Sequence, residues 1–213
     1  MTLSLGHIFV YETLGTALLL LLGCGVVATA ILRKSKGDGG GWLLINFGWG
    51  IGVFVGVYAA FPTGAHLNPA VTVSQWMMGN IDAGQAFTYF AGEFVGAFIG
   101  AVLCWLAFRE HFDAEEDPGK KLAVFSTGPA MRSPIWNVVT EVIATFVLIF
   151  WILISGGTPT AVGPLAVALV VVGIGASLGG PTGYAINPAR DLAPRIAHAI
   201  LPIKGKGPSD WSY

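Results

Sequence analysis

Apolar positions in this chain fall into long uninterrupted runs, not into the one-sided stripes of a soluble helix. No charged side chain occurs between Leu14 and Leu32, nor between Trp42 and Phe61. A run of about 20 residues is what an α-helix needs to cross a hydrocarbon layer of about 30 Å at 1.5 Å per residue. The pattern predicts five full spans, at about 10–32, 42–61, 86–108, 135–155 and 161–179. Charges gather in 33–38 and 109–121, which are expected as aqueous loops. Two more apolar segments, about 68–78 and 187–200, follow the second and fifth spans and are too short to cross. Glycines recur every fourth residue at Gly48, Gly52 and Gly56, and again at Gly92, Gly96 and Gly100. Such rows let helix backbones approach closely in a bilayer.

Composition supports the membrane reading. Of 213 residues, 54% are hydrophobic and only 11% charged, where a soluble domain carries about 25% charged residues. A soluble protein with these runs would need amphipathic helices to cover them, and the pattern contains none. The net charge of −1 comes with no basic stripe for nucleic acid. Cys24 and Cys104 lie in separate apolar runs, where a thiol behaves as a small hydrophobe. No disulfide framework, metal cluster or nucleophile–base pair is visible, so nothing points to an enzyme. Residues 1–7 hold no Lys or Arg and the run after them is too long for a signal-peptide core, so the first helix is expected to remain.

The two short segments begin alike. Pro-Thr-Gly-Ala-His-Leu-Asn-Pro-Ala at 62–70 matches Pro-Thr-Gly-Tyr-Ala-Ile-Asn-Pro-Ala at 181–189 in six of nine positions. A fainter echo pairs Glu12 and Thr16 with Glu141 and Thr145. Three spans separate the copies, an odd number, so the second enters the membrane inverted. The chain then reads as one domain, 1–213, with half-repeats at about 8–110 and 133–213. Inverted repeats with helices broken at equivalent places point to a site at the midplane. Chance recurrence of a common Asn-Pro helix start is the alternative; equivalent placement in two halves argues against it.

Each copy has a physical job. Asn68 and Asn187 suit the N-cap, and Pro69 and Pro188 the first helical position, ahead of Ala70 and Ala189. Capping fixes the amide so that its N–H donors point away from the helix. Two such starts meeting in mid-membrane bring together dipole ends of roughly half an elementary charge each. At about 5 Å and an effective dielectric near 20, each end repels a cation by roughly 1.5–2 kcal/mol. Dehydration in a narrow apolar tube adds at least several kcal/mol for an ion. Neutral polar molecules avoid both costs.

Residues Gly64 to Thr72 and Asn187 to Asp191 resemble the two signature loops of the aquaporin (major intrinsic protein) family, and the resemblance extends from Glu12 to the end of the chain. It implies an all-α, multi-pass protein of the cell membrane: an aquaporin-like inverted repeat with two re-entrant half-helices. It also implies one pore per subunit, a homotetramer and no cofactor. The family has six spans; five are read here, and the sixth would begin about where Tyr213 stands. Asp191 and Arg195 resemble the glycerol-facilitator branch, and matching to that branch puts the narrowest point at Trp49, Gly175, Tyr184 and Arg190. A guanidinium offers several fixed donors to adjacent hydroxyls, the two aromatic rings form an apolar corner, and glycine leaves room. Tyr184 replaces the Phe usual in that branch, and its hydroxyl would narrow the pore or add a hydrogen bond. The expected solutes are glycerol, other small neutral molecules and water. A water-selective channel is the alternative, and a coupled secondary transporter a more distant one.

Glu12, Glu93 and Glu141 lie in apolar spans, where carboxylates often mark proton relays. Re-entrant loops also expose backbone N–H groups that need acceptors inside protein, and Glu12 and Glu141 suit that supporting role better. Glu93 stands where the family usually carries Gln. His66 reads as a satisfied packing group ahead of a pH gate, and Asp191 as neutralising a first helical turn. Trp49 could instead be an interfacial aromatic. All Lys and Arg lie after the first, third and fifth spans. Positive charge alone puts those loops in the cytoplasm; the resemblance puts them outside, and is followed here.

Overall fold

The computed structural model describes residues 4–156 and 162–213. Among the described residues the chain folds into nine α-helices and one 3₁₀ turn, Phe61–Thr63. The helices are α1 (Leu5–Ile31), α2 (Gly41–Ala60), α3 (Pro69–Met77), α4 (Ala83–Ala107), α5 (Arg109–Ala114), α6 (Pro118–Phe125), α7 (Pro134–Ser155), α8 (Pro164–Leu178) and α9 (Pro188–Ile200). Four of them, α1, α2 with the turn after it, α4 and α7, are long and apolar enough to cross a membrane.

The fifth expected span is shorter than its apolar run. Pro164 at the first helical position, after Gly163 with φ 57°, starts α8 there, since proline has no N–H to continue a helix backwards. Its 15 residues reach about 22 Å; residue 161, where the span was expected to start, lies outside the described residues. The two short segments form α3 and α9.

The expected loop at 109–121 is instead largely helical. Asp117 caps α6, its Oδ1 accepting from Gly119 N at 2.7 Å with Pro118 in the first turn. Phe112 from this stretch, and Val124 and Phe125 at the end of α6, are fully buried, and the Lys121 ammonium donates to the Lys204 carbonyl. A high density of charge hid an apolar side that docks on α1 and α9.

Helix α1 lies at the centre, against α2 and α4. The glycine row of α4 sits on it so closely that a Cβ at Gly96 would lie 2.4 Å from Thr13 O, and one at Gly100 2.3 Å from Ala17 O. The outward face of α7 is apolar, with Ile135, Trp136, Val138 and Phe146 exposed, which suits lipid and not water.

Candidate functional site

Helices α3 and α9 begin against one another. Asn68 Oδ1 accepts from Ala70 N at 2.9 Å, and Asn187 Oδ1 accepts from Ala189 N at 3.0 Å and Arg190 N at 3.1 Å. With the oxygens committed to capping, the amide nitrogens face outward from their helices. Asn68 Nδ2 donates to Ile186 O and Asn187 Nδ2 to Leu67 O, both at 2.8 Å. These reciprocal bonds pin the helix starts tip to tip. An amide NH₂ has two hydrogens, so each asparagine keeps one for the cavity that both line.

The segments leading into the caps share one unusual backbone. Gly64 and Gly183 have φ 88° and 84°, Ala65 and Tyr184 51° and 44°, Leu67 and Ile186 55° and 42°. Positive φ is costly for side-chain-bearing residues, most of all a β-branched one, at about 1–3 kcal/mol each. Two glutamates hold the bends. Glu12 accepts from His66 N (3.1 Å), Leu67 N (2.8 Å) and the Thr63 hydroxyl (2.9 Å). Glu141 accepts from Ala185 N (3.0 Å) and Ile186 N (2.9 Å). The backbone donors His66 N and Leu67 N of one loop have their equivalents in Ala185 N and Ile186 N of the other, so these carboxylates serve the backbone.

A cavity of about 590 Å³ runs past this junction, with Trp49, His66, Asn68, Tyr184, Asn187 and Arg190 in its wall. Valines and Leu148 supply much of the remainder. The Arg190 guanidinium sits 3.9 Å over the Trp49 ring and donates to Phe125 O at 3.3 Å. Trp49 is 4% exposed and lies against Gly23, so it is no interfacial aromatic. Gly175 stands behind the wall: a Cβ there would lie 2.6 Å from Tyr184 Cζ and 2.5 Å from Asn46 Oδ1. Its missing side chain makes room for the Tyr184 ring, which meets Trp42 edge-on with centroids 5.8 Å apart. The Gly175 carbonyl accepts from Trp42 Nε1 at 3.0 Å.

Asp191 faces away from this cavity. Its Oδ1 accepts from Thr127 N (2.7 Å) and the Thr127 hydroxyl (2.8 Å), and its Oδ2 pairs with Arg195 at 2.9 Å. Arg195 also donates to the Thr127 and Ser209 carbonyls at 2.8 Å. Together they fasten α9 to the segment after α6 and to the last residues of the chain.

Residues 2–204 match the sequence profile of the family described as major intrinsic protein. The chain belongs to that family. A protein named "Probable glycerol uptake facilitator protein" from Thermotoga maritima is 50% identical over 209 residues, 97% of this chain and 89% of that one. The "Glycerol uptake facilitator protein" of Streptococcus pneumoniae is 48% identical over 205 residues, 95% and 88% of the two chains. The X-ray structure of the aquaglyceroporin from Plasmodium falciparum superposes with a TM-score of 0.82 at 28% identity, over 95% of this chain and 85% of that one.

As in other members of the family, the chain is a multi-pass integral membrane protein. Sequence reasoning left several supporting residues unassigned. The Tyr89 hydroxyl donates to the Thr63 carbonyl, and Thr72 joins His66 to Glu93. Thr63 carried a usable signal, because the Pro-Thr-Gly triplet recurs intact at Thr182. Trp42 and Phe125 carried none, since only the fold brings them against Gly175 and Arg190.

Proposed function

We propose that this chain is a passive channel through which glycerol and other small neutral solutes, with water, diffuse down their gradients. The observation that carries the reading is the pair of reciprocal bonds, Asn68 to Ile186 and Asn187 to Leu67, at the wall of a continuous cavity. They hold two positive helix ends and two free amide N–H groups at one level. A hydroxyl oxygen passing there accepts from both asparagines. A cation meets both dipole ends and must shed its water against an apolar wall. The names of the relatives support glycerol as solute.

Trp49, Tyr184 and Arg190 form the selectivity filter in this reading, with Gly175 setting the position of Tyr184. The whole of 1–213 is one channel domain of two inverted half-repeats, about 8–110 and 133–213, and four copies assemble in the bilayer. Stopped-flow light scattering on proteoliposomes tests the solute. Vesicles with the protein re-swell in a glycerol gradient far faster than empty vesicles, and they also shrink faster in sucrose. Fast water flux without glycerol flux would make this a water channel. Uptake that needs an imposed proton or sodium gradient would make it a coupled transporter.

A further inference from the structure

We infer that Glu93, acting through Thr72, sets whether His66 offers the passing solute a hydrogen-bond acceptor or a donor. The inference rests on the channel reading above and adds a positioning residue to it. Glu93, on α4, is fully buried. Its Oε1 lies 2.6 Å from Thr72 Oγ1, and Thr72 Oγ1 lies 2.9 Å from His66 Nδ1. Glu93 Oε2 has no hydrogen-bond partner. The His66 ring is stacked on Tyr89 with centroids 3.9 Å apart and planes 15° from parallel, which fixes its plane. Nδ1 is committed to Thr72 while the residue lines the cavity, so Nε2 is the ring nitrogen left for solute.

Counting hydrogens gives two states. The Thr72 hydroxyl has one hydrogen and sits between two partners. A Glu93 carboxylate has no hydrogen, so Thr72 must donate to it and accept from His66 Nδ1–H. A neutral imidazole has only that one hydrogen, and Nε2 is then a bare acceptor. When Glu93 is a carboxylic acid, a hydrogen on Oε2 would be buried without an acceptor, which is costly; a hydrogen on Oε1 donates to Thr72. On this route the Thr72 hydrogen passes to Glu93 Oε1, the Nδ1 hydrogen passes to the Thr72 hydroxyl, which now donates to Nδ1, and Nε2 takes the one proton gained from solvent in the cavity, as a donor. A proton gained at Glu93 thus reverses a contact on the far side of Thr72 without any atom moving far.

The direction matters for a polyol. Asn68 and Asn187 both donate, so a hydroxyl bound to them needs an acceptor for its own hydrogen. His66 Nε2 supplies one only while Glu93 is ionised. Other titratable groups facing Glu93 are Glu12 from α1, His66 itself and Tyr89 from α4; α9, which also packs on α4, brings no charge to bear on it. A glutamine at 93 has nothing to ionise, and its effect on His66 is independent of pH.

Nitrogen NMR of histidine-labelled protein in liposomes, with the His66 signal assigned by substitution, tests this between about pH 5.5 and 8.5. In the native protein, neutral His66 passes from the Nδ1–H to the Nε2–H tautomer as pH falls, and glycerol flux falls with it by about three- to tenfold. In Glu93→Gln and in Thr72→Val the tautomer ratio of neutral His66 stays constant across that range, and the flux follows only the formation of imidazolium, which leaves Nε2 no acceptor. Formation of imidazolium is a separate signal and survives in both variants. The proposal is overturned if the native protein keeps one tautomer throughout, or if Glu93→Gln follows the native pH course. Absence of glycerol flux at every pH in the native protein would instead strike the channel reading, because the tautomer is read without flux.

Discussion

Arg190 carries two duties with one side chain. Its backbone N–H is held by the Asn187 cap, while its guanidinium stacks on Trp49 and bonds to Phe125 O. Arg190→Ala removes the second duty and leaves the cap. A unit positive charge at about 5 Å and an effective dielectric near 20 raises the barrier to a cation by roughly 3 kcal/mol. The variant is therefore expected to fold and pass glycerol, with its ion-to-glycerol permeability ratio raised at least about tenfold. Conductance and swelling measured on the same proteoliposomes check this, and an unchanged ratio would remove Arg190 from the filter. The glutamates were legible at this scale because a loop inside a membrane must find acceptors for its N–H groups. The placement of Gly175 behind Tyr184 was not, since a missing side chain leaves no mark of which neighbour fills its space.

At the scale of elements, α4 meets α1 backbone to backbone. Gly100→Val would put a branched side chain where Ala17 O stands 2.3 Å from the Cβ position, and backbone cannot move aside as a side chain does. The expected loss is about 1–3 kcal/mol, seen as a lower Tm in detergent. Gly173→Val on α8, where a Cβ meets nothing within 4 Å, is expected to leave Tm unchanged. Four-residue glycine spacing made this contact foreseeable. The helical 109–121 stretch was not, because its charges outnumber the few apolar side chains that decide how it docks.

Across the whole molecule, one carboxylate joins two distant loops. Glu115 is 4% exposed and accepts from Arg33 N at 3.1 Å and from Glu116 N and Asp117 N at 2.9 Å. Burial works to raise its carboxyl pKa. The Asp117, Arg33 and Glu116 N–H donors and the Lys120 ammonium outweigh that and hold it below the ordinary glutamate value. A group depressed in the folded state contributes fully above its unfolded pKa, near 4.3, and progressively less as pH falls through the folded value. Amide exchange at 33–36 and 115–117, corrected for intrinsic rates, is expected to be faster in Glu115→Gln at neutral pH. The difference from the native protein should close below about pH 4; a gap constant with pH would remove Glu115 from this role.

The sequence alone determined the class and the repeat, for reasons that are local. Twenty apolar residues without charge have one stable place, and an Asn-Pro start caps a helix wherever it occurs. Because both halves carry the motif, the meeting of two caps could be anticipated from spacing. Tertiary structure decided what depends on which side chains converge from separate helices. Trp42 and Asn46 meet Gly175 from α2, Phe125 O anchors Arg190 from α6, and Thr72 connects His66 to Glu93. Such contacts are fixed by angles and distances between elements, and a one-dimensional pattern records neither.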